Sequence, residues 1–382
     1  MRAACRAKGL DYNSPRGGEE WLAGPVPLLR NLRLLAEAIG ANGAPQATMH
    51  QRGDGQWVAR VFPGNFLESI MFQGITADVW IEEGKEPTQG RIYRDKAKKP
   101  GSGKVALVLG AGNVSSIGPM DALYKLFVDD EVVIVKTNPV NEYLQPFWEE
   151  AFRPLIDEGV YRVVRGGVAA GSHLVHHPRI DTIHLTGSDR THDAIVWGSD
   201  PEEQKRRKRT GEKLVDKPIS SELGAVTPVL VVPGPWSDAD LEFQARNIAS
   251  MVANNGSFNC NAAKVVVTSK GWSQRESFLS RIEQHLADTP PRAAYYPGAQ
   301  ARYDGFLSNY PDAKPLGPRS SGVVPWTLIP NVSPEKGEYA LTSEAFCGVL
   351  AETRLDNSNP RDFLLEMVDF ANESCWGTLS CV

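Results

Sequence analysis

The sequence predicts an α/β protein: a doubly wound parallel sheet of Rossmann type, followed by a second α/β domain. Four short apolar runs carry the first part of that expectation: Val105–Leu109, Val132–Val135, 161–164 and 182–185, each separated from the next by a helical stretch. Buried strands that alternate with helices form a parallel sheet covered on both faces. The length, 382 residues, exceeds what one compact core organises and makes two domains the natural expectation. A content of 41% hydrophobic and 23% charged residues is that of a globular chain, and no apolar run approaches the roughly 18 residues of a membrane span.

Taken in order, residues 12–24 are rich in glycine and proline and are expected to be irregular. Pro25 to Ile39 carries an apolar stripe (Leu28, Leu29, Leu32, Leu34, Leu35, Ile39) and stops at Gly40, a helix with a suitable terminator. Trp57 to Phe62 predicts a strand, Phe66 to Val79 a helix, and the basic stretch Arg91–Lys99 an exposed strand or hairpin. From Lys104 the four buried strands follow, with helices around Met120–Phe127, Leu144–Ile156 and Gly171–His176. The run Lys205–Arg209 after Glu202-Glu203 is expected to be a solvated loop, with a nuclear signal or phosphate patch as the sharper reading. A strand at Val229–Val232, a helix at Asp238–Ala253 and a strand after Lys264 frame a cysteine segment. A helix near Ser273–Ala287, a proline- and tyrosine-rich stretch to Pro330 and a further α/β portion close the chain. The end at Cys381-Val382 falls inside an expected strand, so a further C-terminal segment is anticipated.

Function classes narrow from charge and cysteine usage. A formal charge of −5 argues against nucleic acid as the main partner. The cysteines (Cys5, Cys260, Cys347, Cys375, Cys381) form no C-x-x-C pair, which argues against structural zinc and for a reducing cytoplasm. The N-terminal residues lack the apolar core of a secretory signal.

Among these cysteines Cys260 stands apart. It lies in Asn254-Asn255-Gly256-Ser257-Phe258-Asn259-Cys260-Asn261, between a helix and the apolar run Val265–Val267. A packing cysteine prefers apolar neighbours, whereas a nucleophilic thiol needs a loop with amides free to face a substrate oxygen. Alone, the segment is compatible with either. Gly110-Ala111-Gly112 follows the first buried strand, but Ser115 stands where the dinucleotide fingerprint needs glycine, and the second strand ends in Lys136 rather than an acid. Lys136 either meets a ribose or phosphate or simply marks the sheet edge. Thr186-Gly187-Ser188-Asp189 opens a helix whose amides suit an anion, or is only a capped turn. Glu222, in Ser221-Glu222-Leu223-Gly224 ahead of a strand, is a general base or a surface carboxylate.

Together, Val-Ile-Val-Lys136-Thr-Asn-Pro, Leu-Thr-Gly-Ser at 185–188, Glu-Leu-Gly at 222–224, the Cys260 segment and Glu344-Ala345-Phe346 resemble the aldehyde dehydrogenase superfamily in order and spacing. The resemblance runs from about residue 100 to the end. It implies a cofactor domain at 1–224, with an N-terminal helical region, and a catalytic domain at 225–382 that ends short of the family's C-terminal segment. It implies NAD(P)-dependent oxidation of an aldehyde to a carboxylic acid, with NAD or NADP as cofactor and a homo-oligomer as the full-length form. By the same resemblance Cys260 is the nucleophile, passing through a thiohemiacetal and a thioester. Asn113 binds the oxyanion and Glu222 activates the hydrolytic water. Lys136, Gly187, Ser188, Leu223, Glu344 and Phe346 hold the cofactor. Four places depart from the family: Cys347-Gly348 replace glycine-proline, Ala111-Gly112 replace proline-tryptophan, Pro139 stands where NAD-preferring members carry glutamate, and the helix after Ser188 lacks the usual second glycine. An acyl-CoA reductase of the same superfamily and a non-catalytic nucleotide-binding relative are the competing readings.

Overall fold

A computed structural model describes residues 1–41, 47–85, 93 and 103–382. Three sheets organise them. The first is small and antiparallel: β1 (Thr48–Gln51), β2 (Trp57–Phe62) and β3 (Ala77–Trp80). The second is parallel throughout, with β4 (Val105–Leu109), β5 (Val132–Lys136), β6 (Tyr161–Val164), β7 (Thr182–Thr186) and β8 (Ile219–Glu222) in the order β6-β5-β4-β7-β8. The third holds β9 (Pro228–Leu230), β10 (Val265–Ser269), β11 (Lys314–Pro315), β12 (Thr327–Val332) and β13 (Val349–Leu355). Its order is β11-β12-β13-β10-β9, parallel except for β11.

Why β4 is uninterruptedly apolar follows from its place. Ala106 and Val108 face one layer with Leu123, Trp148 and Phe152, while Leu107 and Leu109 face the other with Val175, Ile180 and Ile183. Both faces are covered, so no polar alternation survives. Full burial of a side chain the size of Leu107 contributes roughly 1.5–3 kcal/mol. The chain runs from β4 outward to β6, then returns to the far side of β4 for β7 and β8. That reversal opens a crevice at the carboxyl ends of β4 and β7, where ligands of open α/β sheets bind. The third sheet is likewise covered on both faces, and the helices Asp238–Ala253 and Arg275–Asp288 pack together on one of them.

Several sequence expectations need correction. Residues 12–24 contain a helix, Gly17–Leu22, because its Glu20 finds a buried partner in Lys8. The helix expected over Phe66–Val79 stops at Met71, and Ala77–Trp80 pairs with β2 instead. Its apolar residues, Phe66, Leu67, Ile70 and Met71 among them, are exposed, so their spacing reflected no core face. Lys205–Arg209 is not a loop but part of the helix Pro201–Thr210, capped by Asp200 and ended by the left-handed Gly211. Carboxylates answer much of its charge: Lys205 pairs with Glu202, Arg206 with Glu203 and Glu212, Lys208 with Asp193. The proline-rich stretch before Pro330 holds the helix Ala299–Asn309. Glu222 stands ahead of a strand, β9, as expected, but it also ends an edge strand, β8, that was not foreseen. The Arg91–Lys99 stretch lies outside the described residues except for Tyr93. No helix among the described residues is long and apolar enough to cross a membrane.

Candidate active site

Cys260 lies on the loop between the helix Asp238–Ala253 and β10, at the amino edge of the third sheet. The loop turns sharply: Asn255, Gly256 and Ser257 all have left-handed backbones, with φ of 52°, 67° and 68°. Non-glycine residues there cost energy, and the surroundings must hold them. Asn255 is held by its backbone N–H, which donates to Glu19 Oε2 (3.2 Å), and by its side chain. Its Nδ2 donates to the Asn113 carbonyl (3.1 Å) and to Asn259 Oδ1 (2.9 Å). Its Oδ1 accepts from Tyr295 Oη (2.9 Å) and Lys8 Nζ (3.0 Å).

The second sheet reaches this loop through Asn113, which follows β4. Its buried amide Nδ2 donates to the Phe258 carbonyl at 2.8 Å, two residues ahead of Cys260. The predicted oxyanion donor and the predicted nucleophile thus sit in one hydrogen-bonded assembly. One amide hydrogen is spent on Phe258, and among the described residues no acceptor is found for the other.

The thiol is half-buried, and burial is the main cause holding it above the ordinary thiol range. Lys264 opposes that shift, while the negative charges of Glu344 and Glu222 add to it. The backbone works the other way, since a hydrogen bond at Asn261 favours the thiolate without outweighing burial. Lys264, 3% exposed, donates to the carbonyls of Cys260 (2.8 Å) and Ala262 (3.0 Å) and lies 3.7 Å from Glu344 Oε1. Burial depresses the Lys264 ammonium and raises the Glu344 carboxyl. Glu344 packs against Gly224, where a Cβ would overlap its carboxylate, so the Glu-Leu-Gly glycine is required by close approach. Its Oε1 is buried without a hydrogen-bond donor.

Phe346 belongs to an aromatic cluster with Phe258 (centroids 5.8 Å apart) and Tyr296 (5.0 Å), and Tyr295 packs edge-on to Phe258 at 4.8 Å. Arg302 ties the segment down by donating to the carbonyls of Ala345 (3.1 Å) and Phe346 (3.0 Å). This helps hold Phe346 at its left-handed φ of 40°. Cys347 is fully buried and its thiol is pushed up to about 12, so it is inert by comparison with Cys260. Gly348 lies against the Trp326 ring, where a Cβ would come within 2.6 Å.

The remaining predicted residues gather at the carboxyl ends of the second sheet. Lys136 ends β5, 7% exposed, and among the described residues its Nζ makes one hydrogen bond, to Thr137 O at 3.1 Å. Its stem passes Gly171, and burial depresses its ammonium. Gly187 and Ser188 follow β7; Gly187 N donates to Glu222 O (3.0 Å), and the Ser188 hydroxyl caps the helix Asp189–Val196. Glu222 is exposed beside Leu223, and among the described residues its carboxylate has no hydrogen-bond partner. Sequence reasoning missed Lys8, Glu20, Lys264, Tyr295 and Arg302. Lys264 left one signal, a lone charge abutting an apolar strand; Tyr295 left its pairing with Tyr296.

Residues 132–294 match the family described as the aldehyde dehydrogenase family. The γ-glutamyl-γ-aminobutyraldehyde dehydrogenase of Burkholderia cenocepacia superposes with a TM-score of 0.59 at 18% identity, over 90% of this chain and 60% of that one. The fold is that of the aldehyde dehydrogenases. The NADP-dependent glyceraldehyde-3-phosphate dehydrogenase of Bacillus halodurans, solved with NADP, superposes at a TM-score of 0.55 and 18% identity, over 92% of this chain and 69% of that one. In sequence, the betaine aldehyde dehydrogenase of Sinorhizobium fredii is 25% identical over 229 residues, 57% of this chain. The match spans 42% of that relative's length. The resemblance seen in the motifs therefore holds at the level of family segment and fold.

Proposed function

We propose that the chain oxidises an aldehyde to a carboxylic acid with NAD or NADP, through a covalent adduct on Cys260. The Asn113–Phe258 hydrogen bond carries the reading, because it latches an amide donor of one sheet onto the cysteine loop of the other. The thiol holds its proton at neutral pH, so a base takes that proton as sulfur adds to the carbonyl carbon. Glu222, whose charge reaches the sulfur and whose carboxylate is unengaged, is suited to that step and to deprotonating the hydrolytic water. The oxyanion of the thiohemiacetal takes hydrogen bonds from the Cys260 backbone amide and the second Asn113 amide hydrogen, each supplying about 3–4 kcal/mol.

The residues fit a dinucleotide on two counts. The Lys136 ammonium is buried with a single acceptor among the described residues, leaving hydrogens for ribose or phosphate oxygens. The orphaned Glu344 Oε1 matches a ribose hydroxyl donor. Leu223 and Phe346 offer apolar surface to the nicotinamide, and Gly187 and Ser188 face the pyrophosphate. When bound, the nicotinamide supplies the two-electron acceptor that turns the thiohemiacetal into a thioester. The test is cofactor reduction, followed by absorbance, across an aldehyde panel with each nucleotide. Turnover that vanishes in Cys260→Ala supports the reading, and turnover that persists there removes the nucleophile. If Glu222→Gln leaves turnover intact and free CoA accelerates it, thiol transfer replaces hydrolysis.

A further inference from the structure

We propose that Lys8 is a positioning residue for the oxyanion site, fixing from the N-terminal end the two asparagines that organise the Cys260 loop. The inference rests on the reading of Cys260 as the acylated nucleophile, and it concerns a residue outside the family-matched segment 132–294.

Lys8, 3% exposed, spends its three ammonium hydrogens on Glu20 Oε1 (2.7 Å), the Asn113 carbonyl (2.9 Å) and Asn255 Oδ1 (3.0 Å). Burying an ammonium costs solvation that a single ion pair rarely repays, so an apolar pair would serve packing alone as well. Two of the three bonds go instead to the active-site loops. The Asn113 carbonyl accepts from Lys8 and from Asn255 Nδ2 (3.1 Å), and the single Tyr295 phenol hydrogen is shared between this oxygen (3.2 Å) and Asn255 Oδ1 (2.9 Å). Two donors fill the two lone pairs of that carbonyl oxygen and leave the peptide little freedom to rotate. The same peptide carries the side chain that binds Phe258 O. Asn255, the other acceptor, opens the left-handed run that must be held in place to aim the Cys260 backbone amide. Lys8 thus restrains both oxyanion donors without touching substrate.

The consequence is selective. Chemistry at Cys260 that develops an oxyanion depends on Lys8, and chemistry that does not is indifferent to it. Two reagents separate these. With p-nitrophenyl acetate the thiolate adds to the ester carbonyl, an oxyanion forms, and nitrophenolate leaves as the thioester is made. With iodoacetamide the sulfur displaces iodide and no oxyanion forms. Neither needs cofactor or aldehyde.

In K8M, and in K8M/E20Q, which also removes the stranded carboxylate so that the fold is kept, acylation should fall about thirtyfold or more. Alkylation of Cys260 should stay within about threefold of the parent. Y295F removes the shared phenol hydrogen without changing charge, and should slow acylation by about threefold on its own. Unchanged acylation in folded K8M/E20Q, or in Y295F, overturns the proposal, as does an equal fall of both rates. Cys260→Ala should abolish both reactions at that site; if acylation survives it, the nucleophile assignment fails, whatever Lys8 does.

Discussion

The two parallel sheets present opposite edges to one site. The second sheet gives its carboxyl ends: Asn113 after β4, Lys136 at the end of β5, Gly187 and Ser188 after β7, Glu222 at the end of β8. The third sheet gives its amino ends: Cys260 ahead of β10 and Glu344–Phe346 ahead of β13. The carboxyl edge of a parallel sheet carries helix N-termini and free amides, which favour negative charge. The amino edge receives helix C-termini and carbonyls, which favour positive charge. A dinucleotide's phosphates suit the first edge. On the second, the thiol proton is retained, and a buried lysine is needed to moderate that.

Substitutions on the two sheets should therefore fail in different ways. Asn113→Ala should have the largest effect, lowering kcat about 10²–10³-fold with little change in the aldehyde KM, since the donor acts on developing charge. Lys264→Met removes the charge that lowers the thiol and strands Glu344. Stability should fall by about 3 kcal/mol in urea titration. Iodoacetamide alkylation of Cys260 should be about fivefold slower at roughly pH 8, its profile displaced further upward. Lys136→Met should weaken cofactor binding about tenfold in a fluorescence titration, without moving the thiol's pH profile. Glu344→Gln should move that profile downward, because a negative charge beside the sulfur is lost. A Lys136 variant that shifted the thiol, or a Glu344 variant that did not, would break the division between edges. At the small end, Lys205→Gln cuts an exposed pair with Glu202 and should change stability by less than about 0.5 kcal/mol.

What was legible in the sequence was whatever depends on local pattern. The strands β4, β5 and β6 emerge from apolar runs, and the helix Asp238–Ala253 from its boundaries. Asn113, Glu222 and Cys260 were singled out by motifs that keep an order, and Asn113 does bond the Cys260 loop. The helix Phe66–Met71 was overextended because exposed apolar residues imitate a buried stripe. Helix Gly17–Leu22 was missed because the glycines and the proline just before it outweighed a tertiary contact that no local window contains. Lys8 was invisible for the same reason: nothing near residue 8 tells of acceptors at 113 and 255.

That separation has a consequence for synthesis. The bond from Lys8 to Asn255 spans 247 residues, and neither end has its partner until most of the chain has left the ribosome. Contacts of such span form late, since closing so long a loop must precede any gain. A partly made or partly folded chain would therefore carry its cofactor sheet but not an armed cysteine. The state of the cysteine loop would report that residue 8 has met residue 255.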